Sequence, residues 1–292
     1  MARPAGIARP LAVALGLAAG VGLAAGIVSG DHDSSRRSRI DRDAIQGTGA
    51  IQGTRGDRDA IQRIGLDRDR SLAAPSAAGG RIITIGYSVR HRPIRAVRVG
   101  DPRAARSMLV VGCIHGNERA GIAVTKLLAA RAAPSGTVLW IVPVLNPDGA
   151  AADTRQNGDG VDLNRNFPYR WRPLGGPGYL QYSGPRPLSE PEARAAARLI
   201  LRVRPRITIW FHQPLGLIDL SGGETALERR FAGLVGLPVL RLTRYPGSAV
   251  GWENQRLPGS TAFVVELPPG ALSKRDTARY ADAVRRLAGA PN

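Results

Sequence analysis

Cysteine is nearly missing from this 292-residue chain, and several other residue types are scarce. The single cysteine, Cys113, rules out an intramolecular disulfide and says little else about compartment. Only Lys126 and Lys274 are lysine, so 39 of the 41 basic residues are arginine. Aromatic residues make up 5% of the chain. A nucleic-acid role would want aromatics interleaved with the basic residues, and no nucleic-acid motif occurs, so nucleic acid is not an expected partner. Acidic residues are outnumbered 23 to 41, leaving a formal charge of +18. Such a charge favours polyanions, anionic lipid or an acidic cell wall. It also fits a bland reading, in which Ala, Arg, Gly and Pro reflect genome base composition. Histidine occurs only four times, as His32, His91, His115 and His212, which narrows any search for imidazole chemistry.

The hydrophobic content of 43% is that of a globular protein with a sizeable core. Residues 1–80 carry 11 basic and 8 acidic residues and residues 81–292 carry 30 and 15, so the excess charge belongs mainly to the second part. Three regions follow. Residues 1–30 read as an export signal: Arg3 and Arg9 form a basic start, and Leu11 to Val28 is an 18-residue stretch without a charge. That length equally suits an uncleaved membrane anchor through residues 11–28. Either way the expected location is extracytoplasmic, secreted or held on the outer face of the cytoplasmic membrane. Residues 31–80 read as a disordered Asp-, Arg- and Gly-rich linker. Asp41-Arg-Asp-Ala-Ile-Gln recurs at Asp57 with a period of 16, and the segment has too little apolar surface to offset its ordering entropy.

From residue 81 strands and helices alternate. Strands are expected over 81–90, 94–100, 107–114, 137–145, 207–211, 238–242 and 262–267. Helices are expected over 118–132, 189–202, 224–235 and 273–288, the second with Ser189 as N-cap and Glu192 in a capping box. The fold class is therefore α/β: a single domain over 81–292 with a central mixed, mostly parallel sheet flanked by helices.

His115 and His212 each follow an expected buried strand, at the strand ends where open α/β sheets bind ligands. Glu118 lies three residues after His115 across a turn eased by Gly116, so both can converge on one ion. Two imidazoles and one carboxylate suit Zn²⁺, one per chain, with a fourth position open for water. His-x-x-Glu is weak by itself, because it is more often a polar helix start. Its support comes from Asn146-Pro-Asp-Gly, then Arg155, then Gly160-Val-Asp-Leu-Asn-Arg-Asn-Phe-Pro168.

With these motifs in this order, followed by His212 and Phe263-Val-Val-Glu266, the chain resembles the carboxypeptidase A-like zinc metallocarboxypeptidases over roughly residues 81–290. The resemblance implies that His115, Glu118 and His212 hold zinc, and that Glu266 is the general base. It implies that Arg155 polarises the scissile carbonyl, that Asn164 and Arg165 hold the substrate's terminal carboxylate, and that Tyr245 caps the substrate. Residue by residue, plainer readings stand beside these: Arg165 paired with Asp162, Glu266 at a surface strand end, Cys113 packed as a small hydrophobe. The short domain is most similar to the bacterial branch with murein peptide amidases. That branch implies a cell-wall peptide as substrate, cut at a γ-D-glutamyl–diaminopimelate bond. The stretch after His212 offers Asp219 or Glu224 as a candidate to meet the diaminopimelate amine, beside the plainer reading that either is solvated or caps the helix after Gly223. Two alternatives remain at this stage: an acylamino-acid deacylase of aspartoacylase type, and a non-enzymatic wall-binding protein with a relic zinc site.

Overall fold

A long apolar strand needs cover on both faces, and this chain supplies it with helices on each side of an eight-stranded sheet. The computed structural model describes residues 80–242 and 245–290. The export signal or anchor and the linker lie outside these residues. Among the described residues no helix is long and apolar enough to cross a membrane.

The elements run in chain order as β1 (Arg81–Tyr87), β2 (Pro93–Gly100), β3 (Arg106–Val111), α1 (Ala120–Ala129), β4 (Thr137–Val142), α2 (Pro147–Ala152), a 3₁₀ turn (Leu163–Arg165), α3 (Pro191–Val203), β5 (Ile207–His212), β6 (Leu217–Asp219), α4 (Thr225–Val235), β7 (Val239–Leu240), α5 (Ala249–Arg256), β8 (Thr261–Glu266) and α6 (Lys274–Ala288). The sheet order is β1-β2-β4-β3-β5-β8-β6-β7. Its centre, β4-β3-β5-β8, is parallel, β2 joins β4 and β6 joins β8 antiparallel, and β7 runs parallel to β6. The expected mixed, mostly parallel sheet is therefore what the chain builds.

Strand alternation sorts the core into two layers. Ile207, Ile209 and Phe211 of β5 face α1, α4 and α6, while Trp210 faces α3 and α5. β8 follows the same rule, with Phe263 and Val265 on one side and Ala262 and Val264 on the other. Side chains repeat every two residues along a strand. His212 and Glu266 therefore continue the Trp210 and Val264 face, and they sit side by side as register partners.

Several expectations need correction. The first helix starts at Ala120, so Glu118 lies in the turn before it. α3 starts at Pro191 with Glu190 at its N-cap and no side-chain cap. The Ser189 hydroxyl instead donates to Glu190 Oε1, and Glu192 Oε1 accepts from the backbone N–H of Val89. A partner 103 residues away displaced the local capping box. β6, α2 and α5 were not expected, and β7 keeps only two of its five residues. Ser273 does cap α6, accepting from the Asp276 N–H.

Glu253, on α5, is fully buried between the helix and β5. Thr208 Oγ1 donates to it at 2.5 Å and Trp210 Nε1 at 3.3 Å, and among the described residues no cation is paired with it. Burial pushes its pKa up from 4.5 to about 7, against those two hydrogen bonds. In the unfolded chain the group releases its proton near pH 4.5, and in the fold near 7. The native state thus holds the extra proton between these values, and stability falls as pH rises across that window. The swing attributable to this group is on the order of 3 kcal/mol. Glu253→Gln should flatten it: urea melts of wild type and variant at pH 5 and pH 8 should show a smaller pH difference in the variant.

Candidate metal centre

The site is built where β3, β5 and β8 end. Beyond β3 the chain runs through Gly112 to His115, which turns so that the Glu118 N–H donates to the His115 carbonyl at 3.1 Å. Gly116 is required here by close approach: a Cβ on it would collide with the backbone of Gly149 and Ala150. Those residues belong to Asn146-Pro-Asp-Gly, which forms α2. Asn146 caps it by accepting from the Gly149 N–H at 2.8 Å, and Pro147 occupies the first turn. The two short motifs are thus packed backbone to backbone.

His115, Glu118 and His212 converge. His115 Nδ1 lies 2.8 Å from Glu118 Oε1, His212 Nδ1 lies 3.0 Å from Glu118 Oε2, and the two Nδ1 atoms are 3.2 Å apart. All three residues are buried, and their candidate ligand atoms lie within 4.8 Å of one another. Ligands at about 2.0–2.1 Å from a tetrahedral ion stand about 3.3 Å apart, so this donor set fits a zinc ion. On the other ring edge, His115 Nε2 is 3.0 Å from Asp162 Oδ1. A carboxylate there holds the ring proton on Nε2 and leaves the Nδ1 lone pair facing the cluster.

Asp162 is the residue whose part the motif alone did not reveal. Its Oδ2 accepts from Arg155 Nε at 2.9 Å, and its Oδ1 also accepts from the Asn164 N–H at 2.9 Å. Arg155 Nη1 reaches Glu118 Oε1 at 3.1 Å. Burial opposes the charge on Glu118, yet attraction and hydrogen bonds from His115 and His212 outweigh it and hold the carboxyl far below its ordinary range. Asp162 behaves likewise, burial being overcome by His115 and Arg155. For His115 burial favours the neutral ring, but Glu118 and Asp162 raise its pKa. The site thus concentrates negative charge that a dication would offset.

Gln213 ties the strand ends together. Its N–H donates to Glu118 Oε2 at 3.1 Å, and its Oε1 accepts from the first N–H of α1, at Ala120. Its Nε2 donates to the Pro268 and Gly270 carbonyls, each at 2.8 Å. No sequence signal marked it.

Glu266 is 8% exposed, which removes the surface reading, and its Oε2 is buried with no hydrogen-bond partner. Burial raises its pKa, partly countered by His212. Arg165 does not ion-pair with Asp162. Its Nη1 donates to the Asn164 carbonyl, and its guanidinium lies 4.2 Å from the ring centre of Tyr245, which is 41% exposed. Asn164 Oδ1 accepts from the Ala249 N–H at 2.9 Å, fixing which end of its amide is free. Gly247 has φ +75°, and a Cβ there would strike the Arg165 carbonyl, so the Tyr245 segment is pressed onto the Arg165 segment. One cavity of about 360 Å³ is lined by His115, Glu118, His212, Arg155, Asn164, Arg165, Tyr245 and Glu266 together. Asp219 lines it too, whereas Glu224 is exposed and does not. A second cavity, about 590 Å³, shares Glu118, Arg155, Gln213 and Pro214 with it. Cys113 is packed in the core with its Sγ donating to the His115 carbonyl, and burial pushes its thiol up to about 12, so it offers no thiolate.

Comparison with known proteins agrees with this geometry. A family model described as zinc carboxypeptidase matches residues 73–227, just over half of the chain. Murein peptide amidase A of Escherichia coli K12 is 33% identical over 165 residues, covering 52% of this chain and 68% of that protein. The Vibrio campbellii murein peptide amidase A is 33% identical over 199 residues, covering 63% and 78%. The crystal structure of a murein-tripeptide amidase from Escherichia coli O157 superposes with a TM-score of 0.59 at 26% identity, covering 77% of this chain and 98% of that one. Tyr245 and Glu266 lie beyond the residues that the family model matches, so their placement rests on geometry. The chain belongs to the zinc carboxypeptidase family, and it is a metallopeptidase hydrolase.

Proposed function

We propose that this protein is a zinc metallocarboxypeptidase that releases the C-terminal residue of a cell-wall peptide, at a γ-D-glutamyl–diaminopimelate-type bond, outside the cytoplasm. The observation that carries the reading is the shared cavity. A carboxylate-binding pair, Asn164 and Arg165, faces the same space as the His115–Glu118–His212 cluster and the unpartnered oxygen of Glu266. The wall-peptide assignment is supported by the likeness to murein peptide amidases, and the location by the basic, then uncharged, N-terminal stretch.

Zinc in this donor set supplies a Lewis acid that acidifies a water and polarises a carbonyl oxygen. The rest falls to the chain's own side chains. Arg165 offers a planar fork that matches a carboxylate, and Asn164 an amide end held by Ala249. Together they anchor the substrate by its free terminus. Tyr245 lies against Arg165 and walls the same end. Glu266 Oε2 takes the proton of the attacking water and passes it to the leaving amine; its raised pKa suits a base that must also act as an acid. Arg155, held by Asp162 and Glu118, is positioned to donate to the oxygen that gains charge. The second cavity, on the other side of Glu118 and Arg155, gives room for the acyl part of the peptide. Asp219, at the end of β6, lines the same cavity and is the acid we assign to an amine on the released residue, while its oxygens also accept from Ser221 Oγ and the Leu242 N–H.

Three measurements test this reading. Glu266→Gln should keep zinc at full occupancy by metal analysis and lose about 10²–10⁴-fold in kcat on a wall tripeptide; wild-type rates would sink the mechanism. His212→Ala should lose bound zinc, and full occupancy would sink the ligand set. Arg165→Gln should cost about 10–100-fold in kcat/KM, mainly through KM, on a peptide with a free carboxylate. The same variant should act as wild type does on the C-terminally amidated peptide. Hydrolysis of acetyl- or succinyl-amino acids without peptide cleavage would favour the deacylase alternative.

A further inference from the structure

Far from the candidate metal centre, at the opposite end of the sheet, arginines gather with no acidic partner among the described residues. Arg98 of β2 faces Arg81 of β1 directly across the antiparallel ladder and Trp140 of β4 on its other side. All three project from the sheet face that α3 covers. Like charges directly opposite in a ladder are destabilising. Arg98 also lies over the Trp140 ring, 5.7 Å from its centre. The last turn of α3 brings Arg202, and the residue after it, Arg204, to the same place. Arg98, Arg202 and Arg204 line one cavity of about 360 Å³ with Trp140 and Ser107.

Among the described residues none of these four arginines forms an ion pair. The nearest acid in sequence, Asp101, spends its Oδ1 on the Arg103 N–H. The C-terminal carbonyls of α3 offset part of the charge, but a helix end carries only about half an elementary charge. Ser107 Oγ already donates to two of those carbonyls, Val203 and Arg204. Arg98, Arg202 and Arg204 converging around one open cavity, unpaired among the described residues, make a site suited to an anion.

We propose that the Arg98–Arg202–Arg204 groove, with Arg81 beside it across the β1–β2 ladder, docks a phosphate-bearing polymer of the polyol- or sugar-phosphate kind. Guanidinium forks match phosphate oxygens bidentately, and a chain with repeated charge engages several arginines at once. Nucleic acid is the less suitable polyanion, because the one ring here, Trp140, is 8% exposed and covered by Arg98, so it gives bases no stacking platform. Ser107 stands at the start of β3 and His115 beyond its end, so the groove lies roughly 20 Å from the cluster at the strand rise of about 3.3 Å. Polymer held there leaves the cavity that cuts peptide open.

The test uses the full chain, zinc-loaded, with three probes: a synthetic glycerol-phosphate oligomer, inorganic phosphate at matched phosphorus, and a DNA duplex of matched charge. The groove variant is Arg98→Gln with Arg202→Gln and Arg204→Gln. A control variant removes the same charge elsewhere, at the exposed Arg229, Arg230 and Arg275. The groove variant should bind the oligomer at least tenfold more weakly, and its slope of log K against log salt should fall by about 2. The control should bind as wild type does, and both variants should cleave a soluble peptide within twofold of wild type. Equal losses in both variants would reduce the effect to bulk charge and overturn the proposal. So would unchanged binding by the groove variant, or equal or tighter binding of DNA or of free phosphate. Because the readout is binding, it stands or falls separately from the assignment of the peptide substrate.

Discussion

The carboxylate of Asp162 has no access to solvent, and the rest of the site is arranged around that fact. An isolated buried carboxylate costs several kcal/mol, so its oxygens must be met by donors or cations. Here the donors are residues of the proposed catalytic site. His115 supplies a ring nitrogen, Arg155 its Nε and Asn164 its backbone N–H. Satisfying one buried acid therefore sets the ring of a candidate metal ligand, the guanidinium proposed to meet the scissile carbonyl and the start of the pair proposed to hold the substrate carboxylate. Asp162 is itself held by its backbone, with its N–H donating to Tyr182 and its carbonyl accepting from Arg165. Phe167, five residues on, anchors the same stretch in the core against Trp210 and Trp252.

Close backbone contact carries the next level of order. Gly116 against Gly149, and Gly247 against Arg165, bring segments distant in sequence nearer than any side chain would permit. In each pair one segment bears a site residue. Gln213 adds a third tie, joining the end of β5 to the start of α1 and to the loop after β8. The irregular parts of the site are thus fastened to rigid elements, which is how loop-borne groups keep a fixed geometry.

How much of this was legible in the sequence follows from the range of the forces involved. The continuous apolar strands β3, β4, β5 and β8 announced themselves, because burial on both faces leaves an unbroken hydrophobic run. The candidate ligands were legible through the order of motifs, and the structure brings all eight expected site residues to one cavity. What could not be read were partners chosen across the fold. Ser189 looked like a cap, but its hydroxyl donates to Glu190 instead, while Val89 and Asn157 take the Glu192 carboxylate. α5, with the sequence Ala-Val-Gly-Trp-Glu-Asn-Gln-Arg, has a glycine in its first turn and a buried acid. Its helix is stabilised by packing Trp252 and by bonding Glu253 to Thr208, neither of which leaves a periodic trace. Gln213 had no signal because its partners are backbone groups.

His212 and Glu266 are neighbours in a parallel ladder, each the last residue of its strand. That placement makes the site sensitive to folding errors in one direction only. Strand side chains alternate, so a slip of one residue in β8 would turn Glu266, the proposed base, toward α6 and leave the candidate metal cluster facing an apolar Val265 or Leu267. A misregistered molecule would then be inert. For a hydrolase, failing silent is a safer fault than cutting the wrong bond, and the two-residue repeat of the strand provides that safeguard without any added element.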